Sequence, residues 1–122
     1  MSPDAKPKAP VVFDYHDYRA YLRDFYAEKK ARKRGFSFRA FSRRAGLRSP
    51  NYLKLVMDGQ RNLTREMAAR FAEACGLDGE GAAFFVDLVD LGQSKTSREK
   101  ETAYARLASF KRYRKAHKLE LA

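Results

Sequence analysis

The basic residues in the first half of the chain are dense enough to bind a polyanion. Between Arg19 and Arg48 lie eleven lysines or arginines and only two carboxylates, Asp24 and Glu28. Such cations neutralise phosphates, and arginine binds a phosphate through two parallel hydrogen bonds. Part of the cluster also has a structural explanation, because residues 32–34 end the first predicted helix, where cations oppose the helix dipole.

Polar residues beside this cluster have the chemistry to read DNA bases. Asparagine pairs bidentately with adenine, and arginine or lysine pairs with guanine. The candidates for base contacts are Arg48, Asn51 and Lys54. Asn51 has an alternative role, capping its own helix. Neighbouring side chains are candidates for phosphate contacts, which position a duplex without reading it: Arg39, Arg43, Arg44, Ser49, Gln60 and Arg61.

Catalytic patterns have little support in the sequence. His16 and His117 are far apart, and the chain has no His-Glu-x-x-His pair, no Cys-x-x-Cys pair and no glycine-rich phosphate loop. The single cysteine, Cys75, lies among apolar neighbours in a helical pattern and is expected to be a small core residue. We therefore predict no enzymatic activity, no catalytic residue, no metal and no cofactor.

Glycines and capping residues divide the chain into helices. Gly35, Gly46, Gly59, Gly76 and Gly92 each follow a segment with helical periodicity, as C-terminal caps do. Thr64 is expected to cap the fourth helix, and Thr96 with Glu99 forms a capping-box pattern for the sixth. The predicted helices are Asp14 to Arg34, Ser37 to Ala45, Pro50 to Asp58, Arg65 to Cys75, Glu80 to Leu91, and a sixth from Thr96 into Lys115. The pattern predicts an all-α protein, a compact bundle of five or six helices.

The connection between the second and third predicted helices has the chemistry of a tight turn. Gly46 supplies a positive φ, Ser49 offers an N-cap oxygen, and Pro50 suits a first helical position. Two short helices around such a turn form a helix-turn-helix, in which the first helix crosses the phosphate backbone and the second enters the major groove.

The orientation of that second helix is left open by the sequence. Tyr52, Leu53, Leu55 and Val56 are all apolar. Spacing allows either Leu53 with Val56 or Tyr52 with Leu55 to face the core. The outward side chains beyond Asn51 and Lys54 therefore stay undetermined at this point.

The length and the net charge limit the classes of protein to which this chain can belong. The 122 residues suffice for one compact domain, and the net charge of +11 with a pI near 10.0 favours a polyanionic partner, either nucleic acid or an anionic membrane surface. No apolar run approaches a membrane span and the N-terminus lacks a signal peptide, so a cytoplasmic location is expected. We expect a flexible proline-rich leader at residues 1–10, a helix-turn-helix domain at residues 11–92 and a basic C-terminal helix at residues 93–122.

The chain resembles lambda-repressor-like helix-turn-helix DNA-binding proteins over about Phe36 to Leu77. The matching residues are Phe38, Phe41, Ser42, Ala45, Gly46, Leu53, Val56, Gly59, Ala72 and Leu77. More closely, the segments at residues 13–19, 36–39 and 49–53 look like the N-terminal part of a bacterial family of uncharacterised conserved proteins, with a match over about Phe13 to Leu91. Members of that family are usually longer and carry a second domain that this sequence does not contain. The turn here is one residue longer than the common repressor pattern, so base contacts do not transfer residue by residue.

These observations predict non-enzymatic, sequence-specific binding of double-stranded DNA, in transcription regulation. A homodimer formed through the fifth or sixth helix would double the site that is read. Two alternatives remain open. The same fold could hold a protein partner on the C-terminal helices, or the aromatic residues interleaved with basic ones could stack on single-stranded RNA, although their helical spacing favours burial.

Overall fold

The protein folds into helices throughout its described length. The computed structural model describes residues 8–121, with the side chains of residues 113, 114 and 116–121 excepted. Most of the predicted leader and the side chain of His117 therefore lie outside the described residues. The elements are a short 3-10 helix, Val12–Asp14, followed by α1 (Tyr18–Arg32), α2 (Phe38–Arg44), α3 (Tyr52–Met57), α4 (Arg65–Ala74), α5 (Gly79–Gly92) and α6 (Ser97–Leu121). Residues 8–121 contain no strand, and the prediction of an all-α bundle is confirmed.

The first long helix begins later than the sequence predicted. Asp14 belongs to the 3-10 helix, and α1 begins at Tyr18. The Asp17 carboxylate accepts a hydrogen bond from the Arg19 amide at 2.9 Å. Because this oxygen satisfies an otherwise unpaired amide of the first turn, Asp17 and not Asp14 marks the start of α1.

The two capping threonines predicted from the sequence are confirmed. The Thr64 hydroxyl accepts from the Met67 amide at 3.1 Å at the start of α4, and the Thr96 hydroxyl accepts from the Glu99 amide at 3.1 Å at the start of α6. The Glu99 carboxylate accepts in return from the amide of Lys95 at 2.8 Å. Both helix starts are thus fixed by hydrogen bonds between residues that are close together in the sequence.

Gly92 is not the helix terminator that the sequence predicted. It is the last residue of α5, which is capped by Gln93, and it is not among the glycines with positive φ. A Cβ atom at this position would lie 2.9 Å from two carbons of the Tyr18 ring. The glycine therefore allows α5 to approach Tyr18, whereas the other four predicted terminators do have positive φ.

The core is rich in aromatic residues and draws on every helix. Phe41 of α2 and Phe71 of α4 are fully buried and meet edge to face with ring centroids 5.1 Å apart. In the part of the core between α5 and α6, the rings of Phe84 and Phe110 meet with their centroids 5.9 Å apart. Leu107 of α6 is buried there as well. The largest apolar side chains of α5 are thus covered within the chain, while Ala83 is exposed and Val86 and Leu91 are partly exposed.

A glutamine side chain joins three distant segments near the end of α5. The side-chain oxygen of Gln93 accepts from the Leu63 backbone amide at 2.7 Å and from the Tyr18 hydroxyl at 2.8 Å. The Gln93 amide nitrogen donates to the Leu63 carbonyl at 2.7 Å. This pairing satisfies both backbone groups of Leu63 and fixes the loop between α3 and α4.

Candidate nucleic-acid interface

Helix α2 buries one side and exposes its arginines on the other. Its start is capped by Ser37, whose hydroxyl accepts from the Ala40 amide at 3.0 Å. Phe41 is fully buried, which fixes the rotation of the helix. The outward positions are then occupied by arginines, and all three predicted phosphate ligands on this helix are exposed: Arg39, Arg43 and Arg44.

The start of α3 differs from the prediction. Pro50 and Asn51 lie in a turn, and α3 begins at Tyr52. Ser49 lies three residues before the first residue of α3, and its hydroxyl accepts at 3.4 Å from the amide of Asn51, which is itself outside the helix. Ser49 therefore forms a local turn and is not the N-cap of α3. Asn51 occupies the N-cap position, but its side chain makes no capping hydrogen bond.

The orientation of α3, which the sequence left open, follows from its packing. Leu53 and Val56 are fully buried, and Tyr52 and Leu55 are only partly buried. Lys54 therefore faces solvent, as does Asn51 in the preceding turn. Two of the three predicted base-reading residues thus lie exposed on the outer side of α3.

Two arginines of α1 hold the C-terminal end of α3. Arg19 donates hydrogen bonds to the carbonyl oxygens of Val56 and Arg61, the second at 2.9 Å, and to the Asn62 side-chain oxygen at 2.8 Å. Arg23 donates to the carbonyl of Met57 at 2.9 Å. Because α3 has only six residues, tertiary contacts such as these must stabilise it. We call this pair of arginines the α3 latch.

Other basic residues of the sequence cluster also have partners inside the protein. Lys30 donates to the carbonyl of Phe36 at 2.8 Å, and Arg32 pairs with the buried carboxylate of Glu28 at 2.7 Å. The Lys29 ammonium group lies 5.2 Å from the centroid of the Phe36 ring. Burial, with nearby Arg44 as the next cause, lowers the pKa of Lys29. These three cations, together with the α3 latch, stabilise the fold.

The remaining arginines on α2 and the turn have no partner among the described residues. Among the side chains that the structure describes, no hydrogen bond or ion pair involves those of Arg39, Arg43, Arg44 or Arg48. From residue 39 to residue 61, which covers α2, α3 and the loops beside them, the sequence carries six lysines or arginines and one carboxylate, Asp58. This surface is therefore strongly positive and can attract an anion from outside the protein.

The predicted site residues fall into separate groups. Arg39, Arg43 and Arg48 line one shallow concavity, together with Ser42, Leu47 and Pro50. Asn51 and Lys54 do not line it, although they are exposed nearby in the chain. The other two predicted phosphate ligands, Gln60 and Arg61, are exposed in the loop after α3.

Sequence reasoning missed the α3 latch and the position of Ser42. Arg19 and Arg23 are four residues apart and so lie on one face of α1, and this spacing could have indicated a shared role. Their partners could not be found in the same way, because they lie 34 or more residues away in the sequence. Nothing local indicated that the Ser42 hydroxyl would be buried without a hydrogen-bond partner.

The single cysteine lies in the surroundings that the sequence predicted for it. Cys75 is partly buried against the core, and burial raises the pKa of its thiol well above the usual range. The side chains of residues 8–121 that the structure describes include no group of three or more His, Cys, Asp or Glu residues placed to hold a metal ion. Over the same part of the chain, no helix has the length and apolar character needed to cross a membrane.

Comparison with protein-family models, with curated proteins and with solved structures finds no match to the chain. Its function must therefore be inferred from the chemistry of the α2–α3 surface.

Proposed function

We propose that this protein binds double-stranded DNA without catalysing a reaction, using α2 and α3 as a helix-turn-helix, and that it acts in transcription regulation. The observation that carries the proposal is the set of unpaired arginines on α2 and the following turn, together with the exposed Lys54 of α3 and the exposed Asn51 just before it. Cations without internal partners on a helix pair of this kind suit the phosphate backbone of a duplex.

The two helices would have different tasks. Arg39, Arg43 and Arg44 on α2 would neutralise phosphates, and each neutralised phosphate adds about 0.9 to the log-log slope of affinity against salt. Asn51 and Lys54 would contact base edges in the major groove, at about 1 to 3 kcal/mol for each good bidentate pair. The α3 latch would keep these two side chains in place.

Packing supports duplex DNA over single-stranded RNA as the ligand. Phe36 and Phe41, which could have stacked on bases, are buried in the core. Phe38 is stacked on Tyr26 with ring centroids 4.1 Å apart. The fourth aromatic residue of this set, Tyr52, is partly buried and packs edge to face on Phe71. Base stacking needs free aromatic faces, and the packing of these rings within the protein reduces what they can offer.

Packing also weakens the alternative of a protein partner on the fifth helix. Phe84, Phe85 and Leu88 of α5 are fully buried within the chain. These three residues are therefore part of the core, whereas Ala83 and Val86 of α5 and Phe110 of α6 line an open concavity of about 750 Å³, on which the alternative now rests.

The proposal is tested by selecting bound duplexes from a random library and measuring their affinities across a salt series. The double variant Arg43→Glu with Arg44→Glu should lower affinity for every duplex by roughly 100-fold. The control variant, Arg98→Glu with Lys100→Glu at the start of α6, makes the same change in net charge on exposed residues away from α2 and should have a much smaller effect. Equal losses in the two variants would mean that overall charge, and not this surface, binds DNA.

Base reading is tested separately with Asn51→Ala. This variant should change the preferred sequence while leaving the salt slope as it is, because Asn51 carries no charge. An unchanged sequence preference would remove Asn51 from the base-reading set.

A further inference from the structure

A shallow concavity lies beside α2 and the turn that follows it. We call it the α2 concavity; it encloses about 380 Å³ and is lined by Arg39, Ser42, Arg43, Leu47, Arg48 and Pro50. Its volume falls within the range of small-ligand sites. Three of its six residues are arginines without a partner in the described structure, so its charge is positive and uncompensated.

Two electrostatic effects on α2, the repulsion between Arg39 and Arg43 and the position of Arg39 near the helix start, are unfavourable for the protein alone. They are four residues apart on α2, where two like charges on one helix face repel each other. Arg39 is also the second residue of α2, where a cation opposes the positive end of the helix dipole. An anion between the two side chains would relieve both effects.

Ser42 adds an unsatisfied hydrogen-bonding group to the same place. The residue is 2% exposed, and its hydroxyl is the one buried side-chain polar atom without a hydrogen-bond partner among the described residues. A buried hydroxyl without a partner destabilises a fold, and such groups are rare in native proteins. Features that oppose stability concentrate at sites of function.

We propose that the α2 concavity binds one phosphoryl group, shared by Arg39, Arg43 and Arg48, and that the Ser42 hydroxyl, buried at the wall of the concavity, rotates towards the bound group as a further donor. Leu47 and Pro50 form its apolar walls, next to which charge-assisted hydrogen bonds are stronger than in open water. Arg48 is thereby assigned to a phosphate and not to a base edge. Where the phosphate belongs to DNA, this inference rests on the proposed function.

The same phosphoryl chemistry occurs in a DNA backbone and in a small phosphorylated molecule. The first experiment therefore titrates the intact protein with inorganic phosphate and follows the amide signals of α2 by NMR, with chloride at equal ionic strength as reference. Saturable shifts confined to the α2 concavity are expected. Their absence in the unaltered protein would overturn the inference.

Ser42→Ala separates a ligand role from a structural one. The hydroxyl has no partner in the protein, so its removal should leave the melting temperature unchanged or raise it, while phosphate affinity falls about tenfold. Arg48→Gln should weaken phosphate binding by a similar factor. Arg98→Gln, which alters an exposed arginine on α6 that belongs to no proposed binding surface, is the matched control and should change nothing. Unchanged phosphate affinity in Ser42→Ala and Arg48→Gln, or an equal loss in Arg98→Gln, would refute the site.

The second experiment uses duplex DNA and counts phosphates. If the three arginines share one phosphate, the triple variant to glutamine lowers the salt slope by about 0.9; three separate phosphates would lower it by about 2.7 and contradict the shared site. If the unaltered protein binds inorganic phosphate at the concavity but no duplex, the proposed function fails while the phosphate site stands, and a small phosphorylated molecule is its ligand.

Discussion

Arg19 and Arg23 on α1 and Arg39 and Arg43 on α2 come from the same basic stretch of sequence, yet their surroundings differ. Each pair is four residues apart on one face of a helix. The α1 pair donates to carbonyl groups at the end of α3 and in the loop beyond it. The α2 pair has no hydrogen-bond or ion-pair partner among the described residues and lines the α2 concavity.

This difference shows that density of positive charge does not by itself mark a binding surface. Guanidinium groups that satisfy backbone carbonyls stabilise the fold, and only those without internal partners remain available to an external anion. In α4 to α6 a third arrangement occurs, in which arginines pair with carboxylates, as Arg65 does with Asp90. The three arrangements predict different responses to substitution.

The largest effect on stability is expected for Arg19→Ala. The variant loses three charge-assisted hydrogen bonds that tie α1 to the end of α3 and to the loop beyond it, so the free energy of unfolding should fall by about 2 to 3 kcal/mol in urea denaturation. Arg39→Ala removes the same side chain from α2 and should change stability by less than about 0.5 kcal/mol. Equal losses of unfolding free energy in the two variants would show that the α3 latch and the α2 pair contribute equally to stability.

A smaller and pH-dependent effect is expected for Asp87→Asn. Asp87 is buried on α5, and burial raises the pKa of its carboxyl, while Arg106, at 4.0 Å, acts in the opposite direction. Because the folded-state pKa exceeds that of the unfolded chain, the folded protein binds more protons between the two values. Stability is therefore lost as pH rises through the folded-state pKa.

The asparagine variant lacks this titration and should be more stable than the unaltered protein at pH 7. Its advantage should disappear in acid, where Asp87 is protonated. Thermal unfolding measured between pH 3 and pH 7 gives the comparison, and an advantage that is constant over that interval would mean that the Asp87 charge is not responsible.

The smallest effect is expected for Arg70→Ala on α4. Arg70 pairs with Glu66 at 3.2 Å, and both side chains are exposed. Such pairs, four residues apart on a helix surface, contribute about 0.3 to 0.5 kcal/mol. Thermal unfolding should show a shift near the limit of measurement, and a loss as large as that of Arg19→Ala would show that ion pairs on α4 stabilise the fold as strongly as the latch does.

The parts of the fold that depend on local chemistry were predictable from the sequence. Thr64 and Thr96 cap their helices through residues three positions on, and Gly46 ends α2 through its own backbone angle. Contacts between distant residues were not predictable in this way. The role of Gly92 depends on Tyr18, and the orientation of α3 depends on which of its apolar residues the core encloses.

The candidate site was predictable in composition but not in arrangement. The sequence identified the cations, because their density is visible in one dimension. It did not separate Arg19 from Arg39, since the partners of Arg19 come from residues 56–62. Nor did it indicate that Arg48 would lie with Arg39 and Arg43 while Asn51 and Lys54 remain outside their concavity.

The pairing of Gln93 with Leu63 has a consequence for how rigidly α3 is presented. The Gln93 side chain bonds to both backbone groups of Leu63, just before α4, and to the hydroxyl of Tyr18. Gln93 itself directly follows the last residue of α5. The loop that follows α3 is thus anchored at Leu63 by Gln93 and at Arg61 and Asn62 by Arg19. With its exit anchored at both of these points, α3 would meet a partner as a preformed surface and lose little further conformational freedom on contact.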